Sequence, residues 1–436
     1  MSFGNNGGSC GHGCSPRGVA GEPAMSPKEK PSETRAKSLR VGIPKHRWSY
    51  YSYQYNIIGR VPEVEYLPVE DKFGRAVPWL RRLNWWGHRL THRQWALHFD
   101  LNNQFQERDP NVVDLVHLFN GVSYGKIPWV TTFETLVPRF RSVLTNLGTE
   151  TPNFSLPQRR RFEKAAQALA APACRGVVAL SPYAQRVQRQ VLRWMPSEVA
   201  GQIERKMEVL QPPQPLTVER YEDKPLPENL LRFMFVGHDF FRKGGVEMLE
   251  SFIALREASP QPFELIIVSA LRIDDFATHA GLQELHHAQK LLAAHQDWIK
   301  HFPQLPHDEV IAWMKRSHVG LLPTYADSYG YSVLEFMAAG CPVVTTNVQA
   351  LADINAPDRG WSIPVPRDAL GVGTYHTAEG REAMSQAIRN GLASVLEKIL
   401  TTPDEIARKG QAALAYIQTE HSPTGHTNAL RRLYGL

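Results

Sequence analysis

The stretch LLPTYADSYGYSVLEFMAAGCPVVTTN, residues 321–347, decides how the rest of the chain is read. An apolar run ends at Pro323 and a polar loop holds Asp327-Ser328-Tyr329-Gly330. A helical pattern starts near Tyr331 with Glu335 in its second turn, and a second apolar run, PVVTTN, occupies 342–347. Strand, loop, helix and strand in this order predict a parallel α/β unit, because parallel strands need a crossover. Gly330 lets the backbone approach a ligand closely, and the free N–H groups of a helix start, near Tyr331 and Ser332, suit phosphate oxygens. Asp327 and Glu335 are separated by seven residues, one in the loop and one on the helix, so both can face one pocket. Carboxylates there can accept hydrogen bonds from sugar hydroxyls. The plainer reading makes Asp327 a helix cap and Glu335 a surface residue.

A second segment lies about one domain-half upstream. FVGHDFFRKGG (235–245) leads from a strand through a loop to Arg242-Lys243-Gly244-Gly245 and then a helix. Glycines admit backbone N–H groups to a ligand, the helix start carries partial positive charge, and Arg and Lys neutralise oxygens, a combination suited to a diphosphate. A P-loop is excluded because GxxxxGK[ST] is absent.

Outward from these segments the same alternation recurs. LRFMFVG (231–237), FELIIVS (263–269) and HVGLLPT (318–324) read as strands that are apolar throughout, with helices between them. Upstream, LRVGIP (39–44), VEYLPV (64–69), VVDLVHLF (112–119), PWVTTF (128–133), GVVALS (176–181) and MEVLQPP (207–213) form an earlier series of strand-like runs. The proline-rich, charged stretch QPPQPLTVERYEDKPLPEN (211–229) separates the two series as a linker. The expected division is a disordered tail over 1–38, an acceptor-side domain over 39–212, a donor domain over 213–415, and a C-terminal helix over 416–436 that packs back on the first domain. Two α/β units in tandem place a ligand in the cleft between them.

The 436 residues carry a net charge of +6, and residues 1–48 alone supply eight Lys/Arg against three Glu. A second basic stretch, 157–208, has ten Lys/Arg against four Glu, with Arg186, Arg189 and Arg193 at helical spacing. That helix reads either as a solvated face or as a contact for anionic lipid or an acidic acceptor. Nucleic acid is not expected as a partner, since no helix-turn-helix, zinc-finger or RNA-binding aromatic motif accompanies the charge. No apolar run reaches the length of a membrane span, and no secretory signal is read in the first 38 residues. The four cysteines, Cys10, Cys14, Cys174 and Cys341, do not make a disulfide framework and suit a reducing cytoplasm, the expected location, with peripheral contact at the inner face of a membrane. Cys10, His12 and Cys14 offer three metal ligands without a fourth, so no metal site is expected there. The Trp and Tyr residues at 48–55 and Trp79, Trp85 and Trp86 read first as packing residues and second as stacking surfaces for a sugar.

Taken together, the two segments resemble the retaining, GT-B-fold glycosyltransferases of family 4. Those proteins carry a strand–VGR–loop–KG element followed by a Glu-x7-Glu element; here the counterparts are Val236-Gly237 with Lys243-Gly244, and Asp327-x7-Glu335 followed by Phe336-Met337-Ala338-Ala339-Gly340-Cys341-Pro342-Val343-Val344. The resemblance is strongest over about 231–355 and only general over 39–215. It implies two Rossmann-like domains facing across a cleft, with C-terminal helices. It implies sugar transfer from a nucleotide-diphosphate sugar to an acceptor hydroxyl, with retention and without a metal or other cofactor. Lys243 and Arg242 would hold the diphosphate, and Asp327 would touch the transferred sugar. Gly237 and the backbone of Ser328, Tyr329, Gly330, Tyr331 and Ser332 would line the donor, and Glu335 would hold the ribose. The acceptor, a carbohydrate or a lipid-linked one, would enter from the N-terminal side.

This chain departs from the family pattern at several places. Asp327 stands where Glu is usual, His238 replaces the Arg of VGR, and Gln349-Ala350 replaces a glycine pair. Gly42-Ile43-Pro44-Lys45 stands in place of an N-terminal glycine pair, and Phe133 in place of a His. Acceptor-side candidates are His117, Asn120 and Glu134, at the carboxyl ends of expected strands, where open α/β sheets meet ligands. Two alternatives share the fold: a nucleotide-sugar-binding relative without transfer activity, and a nucleotide-sugar epimerase or hydrolase.

Overall fold

The computed structural model describes residues 38–74, 76–91, 98–273 and 276–436. The expected tail, with Cys10, His12 and Cys14, lies outside them apart from Ser38. Among the described residues fourteen strands follow in chain order: β1 (Leu39–Pro44), β2 (Val64–Val69), β3 (Gln104–Phe105), β4 (Leu115–Phe119), β5 (Val122–Ser123), β6 (Trp129–Phe133), β7 (Cys174–Ala179), β8 (Met207–Val209), β9 (Leu231–Val236), β10 (Phe263–Val268), β11 (Ile299–Phe302), β12 (Val319–Leu322), β13 (Val343–Thr346) and β14 (Gly360–Ile363). Two six-stranded parallel sheets result, ordered β2-β1-β4-β6-β7-β8 and β11-β10-β9-β12-β13-β14, with β3 and β5 as a small separate pair.

Burial explains why these runs became strands. β4, β6, β10, β12 and β13 are buried along their whole length, as strands covered by helices on both faces must be. In each sheet the order reverses beside the first strand of its series, β1 or β9, which opens a crevice at the carboxyl edge. β11 and β14, short edge strands of the second sheet, are additions to the sequence-based series.

The expected C-terminal helix over 416–436 is divided. One helix runs Asp404–Glu420, the chain breaks at His421, and a second helix spans Pro423–Tyr434 with Ser422 as its N-cap. That last helix lies against the first sheet: Leu430 and Tyr434 pack with Val41, Val61, Leu115 and Val130. His426 fixes its start, with one ring nitrogen 2.9 Å from the Gln211 carbonyl oxygen and the other 2.8 Å from that of Asn56. Among the described residues no helix is long and apolar enough to cross a membrane.

Candidate functional site

The site is built at the carboxyl edge of the second sheet from two loops that are stitched together. After β9 the chain passes Gly237 and reaches Gly244, which takes φ +74° and starts the helix Gly245–Ala258 without a side-chain cap. After β12 it reaches Gly330, which takes φ +85° and starts the helix Tyr331–Ala338 in the same way. Glycine is needed at both: a Cβ at 244 would stand 2.0 Å from the Pro323 carbonyl oxygen, and one at 330 would stand 2.5 Å from Leu351. Tyr325 N donates to Arg242 O at 2.9 Å, and an Arg242 guanidinium N–H donates to Ala326 O at 2.5 Å, joining the loops. Two helix starts are thereby aimed at one crevice, each with its first N–H groups available to an anion.

Lys243 reaches this crevice. Its Nζ lies 3.7 Å from an Asp327 carboxylate oxygen, and both side chains are only about one-sixth exposed (15% and 16%). Gly237 gives the lysine its path, since a Cβ there would be 2.3 Å from Lys243 Cδ. Arg242 is held differently from the expectation: its guanidinium is paired with Asp239 and with the Ala326 carbonyl, so in this structure it braces the loop beside the crevice. Burial disfavours the Asp239 carboxylate, yet the hydrogen bond and charge of Arg242 override it and hold its carboxyl below the usual range.

On the second helix, Glu335 is largely enclosed. Burial pushes its carboxyl above the ordinary range, against the opposing pull of His307 and Lys243. Ser332 Oγ is buried without a hydrogen-bond partner, a polar atom at a helix start that a ligand oxygen would satisfy. Tyr329 contributes backbone only, because its ring is buried and its hydroxyl lies 3.4 Å from Gln211 Oε1. Tyr329 N donates to Asp327 Oδ1 at 3.3 Å, which fixes the carboxylate, and Ser328 is half-buried beside it. The far end of the helix is tied to the linker, where Thr217 N donates to Ala338 O at 2.9 Å and Lys224 Nζ to Ala339 O at 2.5 Å.

Across the crevice stands the short helix Tyr51–Asn56 of the first domain. Asn56 Nδ2 donates to the Tyr331 hydroxyl at 3.0 Å, and the Tyr51 ring meets the Tyr331 ring edge-on at 5.4 Å. Burial, and next the charge of Glu335, push the phenols of Tyr51 and Tyr55 up. The sequence offers this segment as packing or as a stacking surface for a sugar, without placing it against Tyr331. The spacing of Tyr51 and Tyr55, four residues apart and therefore on one helix face, was the available signal.

The acceptor-side candidates separate. Glu134 is partly exposed at the end of β6 and forms an ion pair with Arg139 at 3.2 Å. Asn120, at φ +58°, accepts from Glu134 N at 3.2 Å through Oδ1, while its Nδ2 is buried without a partner. His117 is a correction. It is fully buried, with Nδ1 2.8 Å from the Tyr434 hydroxyl and Nε2 2.8 Å from Thr132 Oγ1, and burial drives it down to about 3. Both ring nitrogens are committed to the C-terminal helix and to β6, so it faces no acceptor.

The Arg186 helix has the solvated face of the first alternative, with its exposed charges paired: Arg186 with Asp353 of the second domain at 3.0 Å and Arg189 with Glu204 at 2.8 Å, while Arg193 donates to Gln190 at 3.1 Å. Trp79, Trp85 and Trp86 are exposed on one helix, so of the packing roles the core is ruled out for them. Gln349, in place of a glycine, adopts φ +47°, the backbone conformation a glycine takes freely. Among the described residues no group of three or more His, Cys, Asp and Glu side chains forms a metal-ligand set.

The chain resembles a solved glycosyltransferase from Rickettsia africae ESF-5, with a TM-score of 0.52, 14% identity, and coverage of 92% of this chain and 98% of that one. It also resembles HepE of Anabaena, solved in complex with UDP, with a TM-score of 0.52, 12% identity, and coverage of 92% and 100%. The fold is GT-B. Within it, residues 219–372, the stretch that carries Lys243, Asp327 and Glu335, match the family described as Glycosyl transferases group 1. Among curated proteins, a glycogen synthase of Mycobacterium tuberculosis is 25% identical over 193 residues, 39% of this chain and 42% of that protein. A D-inositol 3-phosphate glycosyltransferase of Arthrobacter is 28% identical over 128 residues, 29% of each chain. The matched stretches thus span less than half the length of these relatives.

Proposed function

We propose that the protein is a glycosyltransferase of the GT4 type that moves a hexosyl group from a nucleotide-diphosphate sugar to an acceptor hydroxyl, with retention at the anomeric carbon and without a metal. The observation that carries this reading is the convergence of Lys243 Nζ, the Asp327 carboxylate and two glycine-initiated helix starts on one crevice. Lys243 and the helix starts neutralise the diphosphate as the bond from the sugar carbon to the phosphate oxygen breaks and that oxygen takes the electron pair. Asp327 receives sugar hydroxyls, and Glu335 binds the ribose. The Ser332 hydroxyl, with the backbone at Ser328, Gly330 and Tyr331, completes the phosphate cradle. The acceptor hydroxyl, from a carbohydrate or a lipid-linked acceptor, attacks from the side of Tyr51, Asn120 and Glu134. Its proton passes to the departing phosphate oxygen, so the protein needs no nucleophile of its own. Arg242 acts on this step through the loop that it braces.

The test is a thermal-shift panel of nucleotide sugars with EDTA present, on the wild type and Lys243→Ala. UDP-sugars head the panel, because the structurally similar HepE was solved with UDP. A donor that stabilises the wild type by a few degrees and leaves the variant unmoved supports the site. Acceptor-dependent release of nucleotide diphosphate then distinguishes transfer from binding alone or from hydrolysis. If no nucleotide sugar shifts the wild type, the proposal fails.

A further inference from the structure

Among the described side chains of the helix Ala76–Thr91, aromatic ones are outside and a polar one is inside. Asn84 and Gly87 are buried, whereas Trp79, Trp85 and Trp86 are 69%, 55% and 53% exposed and Leu83 is exposed beside them. Trp79, Arg82, Leu83, Trp85, Trp86 and Arg89 fall within an arc of about 160° of the helix, so they form one continuous face. Arg82 and Arg89 are exposed on it, and the Arg89 guanidinium lies 5.4 Å from the centre of the Trp85 ring. From Ala76 to Phe99 the sequence holds four Trp, four Arg and no Asp or Glu. A face of this kind is costly in water, since large exposed apolar patches mark interaction sites.

We propose that this face docks the protein on an anionic lipid bilayer, with the three indoles at the level of the headgroups and the two guanidinium groups on lipid phosphates. Trp is suited to that depth because it is apolar across the ring and polar at the N–H, and exposed Arg is attracted by anionic lipid. Charge argues against a second copy as the occupant. A twofold interface would set the same face against itself, bringing Arg82 and Arg89 near their own counterparts without a carboxylate on the helix to offset them. Position adds to the case. Val69, where β2 ends, is in register with Pro44 at the end of β1, so the segment leads off from the carboxyl edge that also carries Tyr51, Asn120 and Glu134. Docking would set the acceptor-side loops at a lipid surface. The inference stands on this face alone and does not depend on the donor chemistry.

The experiment is flotation of the full chain with vesicles of phosphatidylcholine alone or mixed with phosphatidylglycerol. The wild type is compared with a Trp79→Ala/Trp85→Ala/Trp86→Ala variant and with an Arg82→Glu/Arg89→Glu variant. All substituted side chains are exposed, and circular-dichroism melting verifies that each variant folds. The wild type is expected to float with the phosphatidylglycerol vesicles and to detach at high salt. Each variant is expected to lose more than about tenfold in partitioning. The proposal is overturned if the wild type stays down with anionic vesicles, or if the tryptophan variant floats as well as the wild type. A wild-type dimer that the tryptophan substitutions convert to a monomer, with no flotation, would instead assign the face to a second copy.

Discussion

In the C-terminal half, the groups around the crevice are placed by backbone. Gly244 and Gly330 set the starts of two helices, Gly237 clears a path for Lys243, and a paired Arg242 holds the loops at a fixed separation. In the N-terminal half, the groups are placed by side-chain contacts, one of them across the crevice. Asn120 leans on Glu134 N, Glu134 on Arg139, and Tyr51 on Tyr331 of the other domain. A site made of backbone is complete before any ligand arrives and leaves glycine and charge at fixed offsets in the sequence. A site made of side chains is complete only when distant segments have docked.

Four expected outcomes would break or sharpen that contrast. The largest effect is expected at Lys243: Lys243→Ala should lower kcat/KM by roughly 10²–10³-fold, measured in steady state with the donor found by thermal shift. An unchanged value would remove the C-terminal half from the chemistry. Next, Gly244→Val should destabilise the protein by roughly 2–3 kcal/mol in chemical denaturation, because φ +74° and the Pro323 carbonyl both oppose a side chain. A variant as stable as the wild type would show that the helix start is not set by glycine.

The third concerns His117. Burial lowers it from an ordinary 6.5 to about 3, so between those values the unfolded chain binds the proton that the folded chain refuses. Its contribution to stability is present above about pH 6.5 and is lost as pH falls toward 3, at up to about 1.4 kcal/mol per pH unit. His117→Gln should be less stable at neutral pH and flatter on the acid side. His318 and His421, both pushed down to about 4 mainly by burial, keep part of the slope. An equal slope in variant and wild type would mean that His117 is solvated after all. The smallest effect is expected from Arg186→Ala, which removes a largely exposed pair with Asp353: less than about 1 kcal/mol in stability, and a KM change of a few-fold with kcat unaltered. A loss of kcat would show that this pair does more than hold the cleft edges together.

The same contrast explains what could be read from sequence. The strands around 231–237 and 318–324 and the loop glycines follow from local pattern, and the structure has them close to where the pattern puts them. The approach of Lys243 to Asp327 joins two separate segments and is not recorded in either one. His117 was read as cleft-facing because it sits in a strand near its carboxyl end. It is covered by Tyr434, more than three hundred residues later, and nothing local records that contact. The helix Ala76–Thr91 escaped because apolar periodicity is read as a buried face, and here the tryptophans are outside while Asn84 is inside. Gln349 conceals a left-handed position because the residue type that normally signals it is missing. Arg242 shows the limit from the other direction: its charge and that of Asp239 stand in the same segment, but the pairing by which Asp239 claims it does not.

The return of the last helix to the first domain means that the chain passes between the domains twice. The outgoing and returning segments run side by side and are fastened together. Gln214 N donates to His421 O at 2.8 Å, His421 Nδ1 lies 2.8 Å from Pro212 O, and His426 Nδ1 lies 2.9 Å from Gln211 O. A single tether would let one half swing and twist in any direction. Two pins set next to one another, as on a door, leave one easy axis and resist torsion about the other two. Relative movement of the two halves is thereby restrained at Gln211 and His421, where the crossings meet.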